Sequence, residues 1–330
     1  MIKIALDAMG GDHAPAETIK GAYLYLQENE YAEIVLVGKE DLIKKELKKY
    51  KPNGRISIFN ASEVITTSEP PVQAIKQKKD SSIMKGVELV KIGKADAFVS
   101  AGNTGALMAS ALFGLGRIES IERPALATIF PSKKGRVLLL DMGANVDCKP
   151  KHLVQFAKMG VIYSRYVLHV PEPKVGLVNI GEEPEKGNEL TKTTYPLLKE
   201  EKSINFTGMV ESKEIFAGRI DVVVCDGFTG NLLLKFAEST ATFIFEMLGS
   251  ELKSHPLAAF VSLFLIPALL RLKKKVDYDE FGGAEMLGIN GVVVKAHGRA
   301  KSKAIKNAIR VAHESVEGNV VNYISKVESN

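Results

Sequence analysis

The sequence predicts a three-layer α/β/α sandwich on a largely parallel sheet. Short apolar runs alternate with helix-patterned stretches along the chain, the order that builds βαβ units. The runs are nearly continuous in apolar residues, as strands buried on both faces are. Polar, glycine-bearing loops follow several of them, and sheets of this kind bind ligands beyond the carboxyl ends of their strands.

In chain order, a strand at 2–8 leads through "DAMGGDHAP" to a helix at 16–27. Strand 33–37 precedes helix 41–49, and strand 56–59 precedes helices at 72–79 and 84–92. Strand 97–100 ends in "SAGNTGALMA", which turns into a helix at 104–115. Strands at 125–130 and 137–141 follow, then "DMGANVDCKP" and a helix at 151–165. Strand 175–180 opens on "NIGEEPEKGNEL". Strand 221–225 runs through "CDGFTGN" into a helix at 231–248. A strand at 291–296 and a helix at 302–315 complete the pattern. No fixed-period repeat, low-complexity tract or linker divides residues 1–330, so one domain is expected, with an apolar helical protrusion at about 255–275.

Composition narrows the function. The absence of Trp and the low aromatic content, 7%, leave no base-stacking surface, and no nucleic-acid partner is expected. The net charge of +5 is spread along the chain and suits an acidic partner or an anionic membrane face. Two cysteines, Cys148 and Cys225, make no disulfide framework. The start, "MIKIALDAMGGD", passes directly into a strand pattern without a signal-peptide h-region, which predicts a cytoplasmic protein. Neither a Gly-x-Gly-x-x-Gly after the first strand nor a Walker A, Cys-x-x-Cys pair or His-Glu-x-x-His occurs.

The two related turns are the main site candidates. Gly102, Asn103, Thr104 and Gly105 form one; Gly227, Phe228, Thr229, Gly230 and Asn231 form the other. Glycine allows close approach of backbone to a ligand, and N–H groups at a helix start attract phosphate or an oxyanion. Thr104 and Thr229 supply hydroxyl donors or cap their helices. Each turn could equally be a tight connection with no ligand. Asp7, Asp141 and Asp226 fit turn or helix caps as well as a site. His13 is a candidate base or a turn residue, and Lys186 a phosphate clamp or a solvated lysine. Cys225 fits a small buried hydrophobe better than a nucleophile, while Cys148 beside Lys149 is a minor thiol candidate.

Seven segments in order, "DAMGGDHAP", "SAGNTGALMA", "ERPALATIFP", "LLLDMGANVDCKP", "GEEPEKGNEL", "CDGFTGN" and "EFGGAEMLGINGVVVKAHGRA", resemble the bacterial phosphate acyltransferases of phospholipid synthesis over essentially the whole chain. The resemblance implies transfer of a long fatty acyl group from acyl carrier protein to inorganic phosphate. The acyl phosphate would then serve a membrane glycerol-3-phosphate acyltransferase. It implies an isocitrate/isopropylmalate dehydrogenase-like fold with a mixed sheet, a homodimer, and no tightly bound cofactor; the aspartates could build a magnesium site, but their spacing does not support one. Phosphate is already nucleophilic and a thioester already activated, so direct attack needs no acyl-enzyme. The absence of a Ser-His or Cys-His signature agrees with that route. On this reading Lys186 holds phosphate charge, with the N–H groups around Gly102–Gly105. Asn231 donates to the oxyanion or phosphate, His13 protonates the leaving thiolate, and Asp226 orients Asn231 or a water. Asn145, Thr229 and Gly230 complete the substrate-binding set.

Residues 257–270 are apolar except Ser262, too short a run to span a bilayer, and Pro267 interrupts it. A buried helix pair at a dimer interface is one reading. The other is a shallow membrane contact backed by Arg271, Lys273, Lys274 and Lys275, a cluster that also suits acidic acyl carrier protein. Three other functions fit parts of the pattern. A phosphotransacetylase-like enzyme using coenzyme A shares the chemistry. A dehydrogenase shares the fold but lacks its metal and nicotinamide patterns here. A non-catalytic membrane scaffold explains only the apolar stretch.

Overall fold

The structure, a computed structural model, describes residues 1–254, 264–269, 271–272 and 282–326. Most of the apolar stretch at 255–275 therefore lies outside the described residues.

The strands are β1 (Ile2–Asp7), β2 (Ala32–Gly38), β3 (Ile56–Asn60), β4 (Ala97–Ser100), β5 (Ala125–Ser132), β6 (Gly135–Leu140), β7 (Lys174–Val178), β8 (Asn205–Val210), β9 (Val222–Val224), β10 (Ala284–Leu287) and β11 (Val292–Lys295). They form one sheet in the order β3-β2-β1-β4-β11-β10-β5-β6-β9-β7-β8. The helices are α1 (Ala16–Glu28), α2 (Glu40–Leu47), α3 (Pro71–Gln77), α4 (Ser82–Lys91), α5 (Thr104–Gly114), α6 (Pro150–Tyr166), α7 (Glu189–Glu200), α8 (Ser212–Ala217), α9 (Gly227–Ser254), α10 (Ser302–Glu317) and α11 (Val320–Ser325).

The sheet is mixed because two of its connections are short. Only Lys133 and Lys134 separate β5 from β6, and only residues 288–291 separate β10 from β11. Connections of this length cannot cross over, so each pair is antiparallel. β10 also pairs antiparallel with β5. The remaining pairs are parallel, linked by helices. β3, β2, β1, β4 and β11 therefore run opposite to β6, β9, β7 and β8, and β5 and β10 reverse the direction between them.

Helices cover both faces. On one, a core that includes Phe98, Leu107, Phe130, Leu139, Val223 and Leu234 runs under α5 and α9 and joins both halves of the sheet. On the other, Ile4, Leu36 and Ile305 pack beneath α1 and α10. Leu138 packs with Phe156 and Tyr163 of α6 beside them.

The nine expected strands are all present. β8 and β10 are additional. The stretch forming β10, "AEML", reads as part of a glycine loop because it carries Glu285. That carboxyl is buried, accepts a 2.6 Å hydrogen bond from Ser315 Oγ, and is pushed up to about 8 by burial. It can occupy a central strand as a neutral acid. β8 carries Gly208 at φ +114, which breaks its apolar pattern. The unexpected α7 contains Pro196 and several threonines, poor helix formers that tertiary packing of Leu198 outweighs.

Candidate active site

Two buried aspartates organise two loop clusters. Asp7 ends β1. Its Oδ1 accepts the Met9 N–H at 3.0 Å and its Oδ2 accepts Ser100 Oγ at 2.7 Å. Ser100 Oγ in turn accepts the Gly102 N–H at 3.0 Å. Burial raises the Asp7 carboxyl, and these donors oppose the rise. A side chain at Gly10 would strike both Asp7 Oδ2 and the Gly102 nitrogen, so glycine is what lets the first loop close on the "GNTG" turn. The last loop joins them, with the Asp12 N–H donating to the Gly298 carbonyl at 2.8 Å.

Within that turn Asn103, not Thr104, caps α5. Its Oδ1 accepts the Ala106 N–H at 3.0 Å. Its Nδ2 donates to the carbonyls of Thr66, Thr67 and Glu69, pinning the 66–69 loop. Asn103 is buried and its amide is fully engaged, so what the turn can offer a ligand is backbone. Thr104 and Gly105 form the first turn of α5, whose N–H groups have no partner within the helix.

Asp141, completely buried after β6, organises the second cluster. Its Oδ1 accepts N–H groups of Leu126, Gly143 and Ala144 at 3.0–3.2 Å. Its Oδ2 accepts the Asn145 backbone N–H at 2.7 Å and its Nδ2 at 2.9 Å. Burial raises this carboxyl too, against those donors. Asn145 Nδ2 also donates to the Pro124 carbonyl, and the Asn145 carbonyl accepts the Gly227 N–H at 2.8 Å. Helix α9 therefore starts directly on the "DMGAN" loop. Gly230 permits this, because a Cβ there would overlap the Asp141 carbonyl.

The helix begins at Gly227 rather than at Asn231, so "GFTG" is its first turn. Asp226 caps it: Oδ1 accepts the Thr229 N–H and Oδ2 accepts Thr229 Oγ1, each at 2.8 Å. Asp226 is thus bonded to Thr229 and not to Asn231, one of the two groups it was expected to orient. Asn231, one turn in, is exposed and faces Gly143, which holds φ +123. Its amide makes no hydrogen bond to any described residue.

Other expected site residues stand apart. Lys186 is on an exposed loop after β7, its ammonium 2.9 Å from Glu183, and that carboxylate raises its pKa. Asn179 holds this loop by donating to the Gly181 and Lys186 carbonyls. No contact among the described residues joins Lys186 to either aspartate cluster. His13 is exposed on the first loop, where its carbonyl accepts the Glu17 N–H. Both thiols are poor nucleophiles: burial pushes Cys148 up to about 12 and raises Cys225 well above the usual thiol range.

One residue escaped the sequence reading. Lys295 ends β11, and burial lowers its pKa to about 8, with Lys235 on α9 adding to the fall and Asp7 and Asp12 opposing it. It is a cation held among the first cluster's carboxylates, and through Lys235 it reaches the helix that starts on the second. The available signal was a lysine closing the apolar run "VVVK". Among the described residues no three His, Cys, Asp or Glu side chains assemble as a metal-ligand set. No described helix is long and apolar enough to cross a membrane.

The family model described as fatty acid synthesis protein matches residues 2–323. A phosphate acyltransferase from Clostridium perfringens strain SM101 is 51% identical over 326 residues, 98% of this chain and 96% of that protein. One from Halothermothrix orenii is 52% identical over 327 residues, 98% of each. A phosphotransacetylase structure from Streptococcus pyogenes superposes with TM-score 0.63 at 15% identity, covering 96% of this chain and 94% of its own. A 4-hydroxythreonine-4-phosphate dehydrogenase structure from Klebsiella pneumoniae gives 0.53 at 13% identity, covering 96% and 100%. These two similarities concern the fold, which is the dehydrogenase-like architecture expected. Identity near one half over nearly the full chain settles the family: this chain belongs to the phosphate acyltransferases of fatty acid and phospholipid synthesis.

Proposed function

We propose that the chain transfers a long-chain fatty acyl group from acyl carrier protein to inorganic phosphate, releasing acyl phosphate. The observation that carries this reading is the pairing of an open amide, Asn231 beside Gly143, with a desolvated cation, Lys295, along one helix, where both thiols are too basic to attack.

An oxygen of hydrogen phosphate attacks the thioester carbonyl. The tetrahedral oxyanion collapses, the C–S bond breaks, and the proton carried by phosphate ends on the departing sulfur. Lys295 and the first-turn N–H groups of α5 hold the phosphate charge. Asn231 donates to the oxyanion, where one such donor is worth about a hundredfold in rate or more. His13, exposed on the loop beside Gly298, relays the proton. Lys186 supplies phosphate charge if its loop swings away from Glu183.

The enzyme acts as a homodimer against the cytoplasmic face of the membrane and hands its product to a membrane glycerol-3-phosphate acyltransferase. The described part of the apolar stretch supports membrane contact: Phe264, Leu265 and Ile266 are exposed large hydrophobics on a helical segment.

The test supplies hexadecanoyl-acyl carrier protein and phosphate, traps acyl phosphate with hydroxylamine, and counts released carrier thiol. One hydroxamate per thiol is expected, with coenzyme A thioesters much poorer donors. Equal use of acetyl-coenzyme A would favour a phosphotransacetylase instead.

A further inference from the structure

Beside the reacting groups lies an apolar groove to which no ligand has been assigned. It encloses about 960 Å³ between α9, α8 and the β5–β6 pair. Phe130 and Leu139 form its floor from the sheet, Ile215 and Phe216 one wall from α8, and Ala237 and Ala241 part of the other from α9. The alanines matter, because larger side chains there would project into the space. One end of the lining is His297 and Arg299, which follow directly on Lys295. Arg299 is exposed and makes no ion pair with any described residue. Lys213, on the α8 side, is ion-paired with Glu211 at 2.9 Å.

We propose that this groove seats the acyl chain of the substrate, which rests on the acyl-transfer reading above and adds the place where the chain is held and measured. The chain leaves the reacting carbonyl near Lys295 and runs along α9 over Ala237 and Ala241 toward Phe245. From Lys235 to Phe245 the helix advances about 15 Å, a large part of the length of an extended long acyl chain. Charge complements the direction: an apolar tail fits the walls, and an anionic head, phosphate on the product or carboxylate on a free acid, meets Arg299. Each methylene that enters the groove is worth about fourfold in affinity. Chain-length preference is therefore set by how far the space extends beyond Ala241.

The probe is a series of free fatty acids, octanoate to hexadecanoate, titrated below their micelle concentrations into the full-length protein by calorimetry, with size measured in parallel. Wild type is expected to tighten by about fourfold per methylene until the groove is full. Ala241→Trp, which fills the far half, should leave octanoate unchanged and abolish the gain for longer chains. Phe236→Ala, a change at an exposed wall position that the fold tolerates, should weaken hexadecanoate several-fold. In the acyl-transfer assay Ala241→Trp should shift the donor preference toward short chains. A flat wild-type series, or a series unaltered in both variants, would overturn the proposal. So would an oligomer that dissociates in Ala241→Trp while Phe236→Ala binds hexadecanoate as wild type, since the groove would then be covered by a second copy. If wild type binds the series as expected but transfers no acyl group to phosphate, the reading of the reaction fails while the groove stands.

Discussion

The two glycine-threonine-glycine turns have similar sequences and opposite uses. In the first, the capping residue Asn103 uses its carboxamide on α5 and on the 66–69 loop, and the exposed chemistry passes to backbone and to Lys295. In the second, Asp226 takes the cap, bonding only Thr229, and an uncommitted amide remains one turn further on at Asn231. Both lean on a buried aspartate bonded to backbone N–H groups, but Asp141 binds five donors and carries the start of a long helix, while Asp7 interacts with a cation at the end of β11. A shared turn motif is thus a shared scaffold. Which atom faces a ligand depends on which residue already serves as the cap.

The largest expected effect breaks the second turn itself. Gly230→Ala places a methyl group on the Asp141 carbonyl, and neither the helix nor the buried loop can yield cheaply. A stability loss of about 1–3 kcal/mol or more is expected in denaturant unfolding, with activity lost in proportion. A variant as stable as wild type would show that α9 does not need this close approach.

Next comes the contrast between the two asparagines. Asn231→Ala should cut kcat by about a hundredfold with little change in melting temperature. Asn231→Asp should be worse, since it adds negative charge where phosphate gathers. Asn103→Ala should do the reverse, lowering melting temperature by removing a cap and three loop contacts, a loss of about 1 kcal/mol or more. Equal behaviour of the two would remove the distinction drawn between the turns.

A smaller effect separates the two lysines. With a pKa near 8, Lys295 is charged below that value and loses its charge as pH rises through it, so phosphate KM should climb across that window. Lys295→Arg keeps the charge and should flatten the climb. Lys295→Met should raise KM at all pH values, by roughly ten- to a hundredfold for a lost charged hydrogen bond. Lys186→Ala should lower turnover with the fold intact. If it leaves turnover and phosphate KM unchanged, the Glu183 pair is the whole role of Lys186.

Much of this was legible in the sequence. Nine strands followed from apolar runs, and the loops that meet at Asp7 and Asp141 from glycines placed after them. What stayed hidden depends on partners distant in the chain. Nothing local shows that Asn103 reaches the 66–69 loop or that Gly230 touches Asp141. The sequence offers Thr104 as a hydroxyl donor or a cap, one residue past the cap that forms, and places α9 four residues late, because a Gly-x-Thr-Gly string looks like a turn before a helix rather than its first turn. Lys295 was missed because a lysine after an apolar strand normally marks its solvated end. Here it is desolvated, with Asp7, Asp12 and Lys235 as its charged neighbours.

The central claim is direct attack by phosphate without an acyl-enzyme. The sharpest measurement is carrier thiol release in a rapid-quench experiment, with enzyme and hexadecanoyl-acyl carrier protein at comparable concentrations and phosphate omitted. No burst of thiol and no mass increment on the protein are expected, and adding phosphate should start release at the steady-state rate. A burst equal to the enzyme concentration, with an acyl group found on any side chain, would contradict the account.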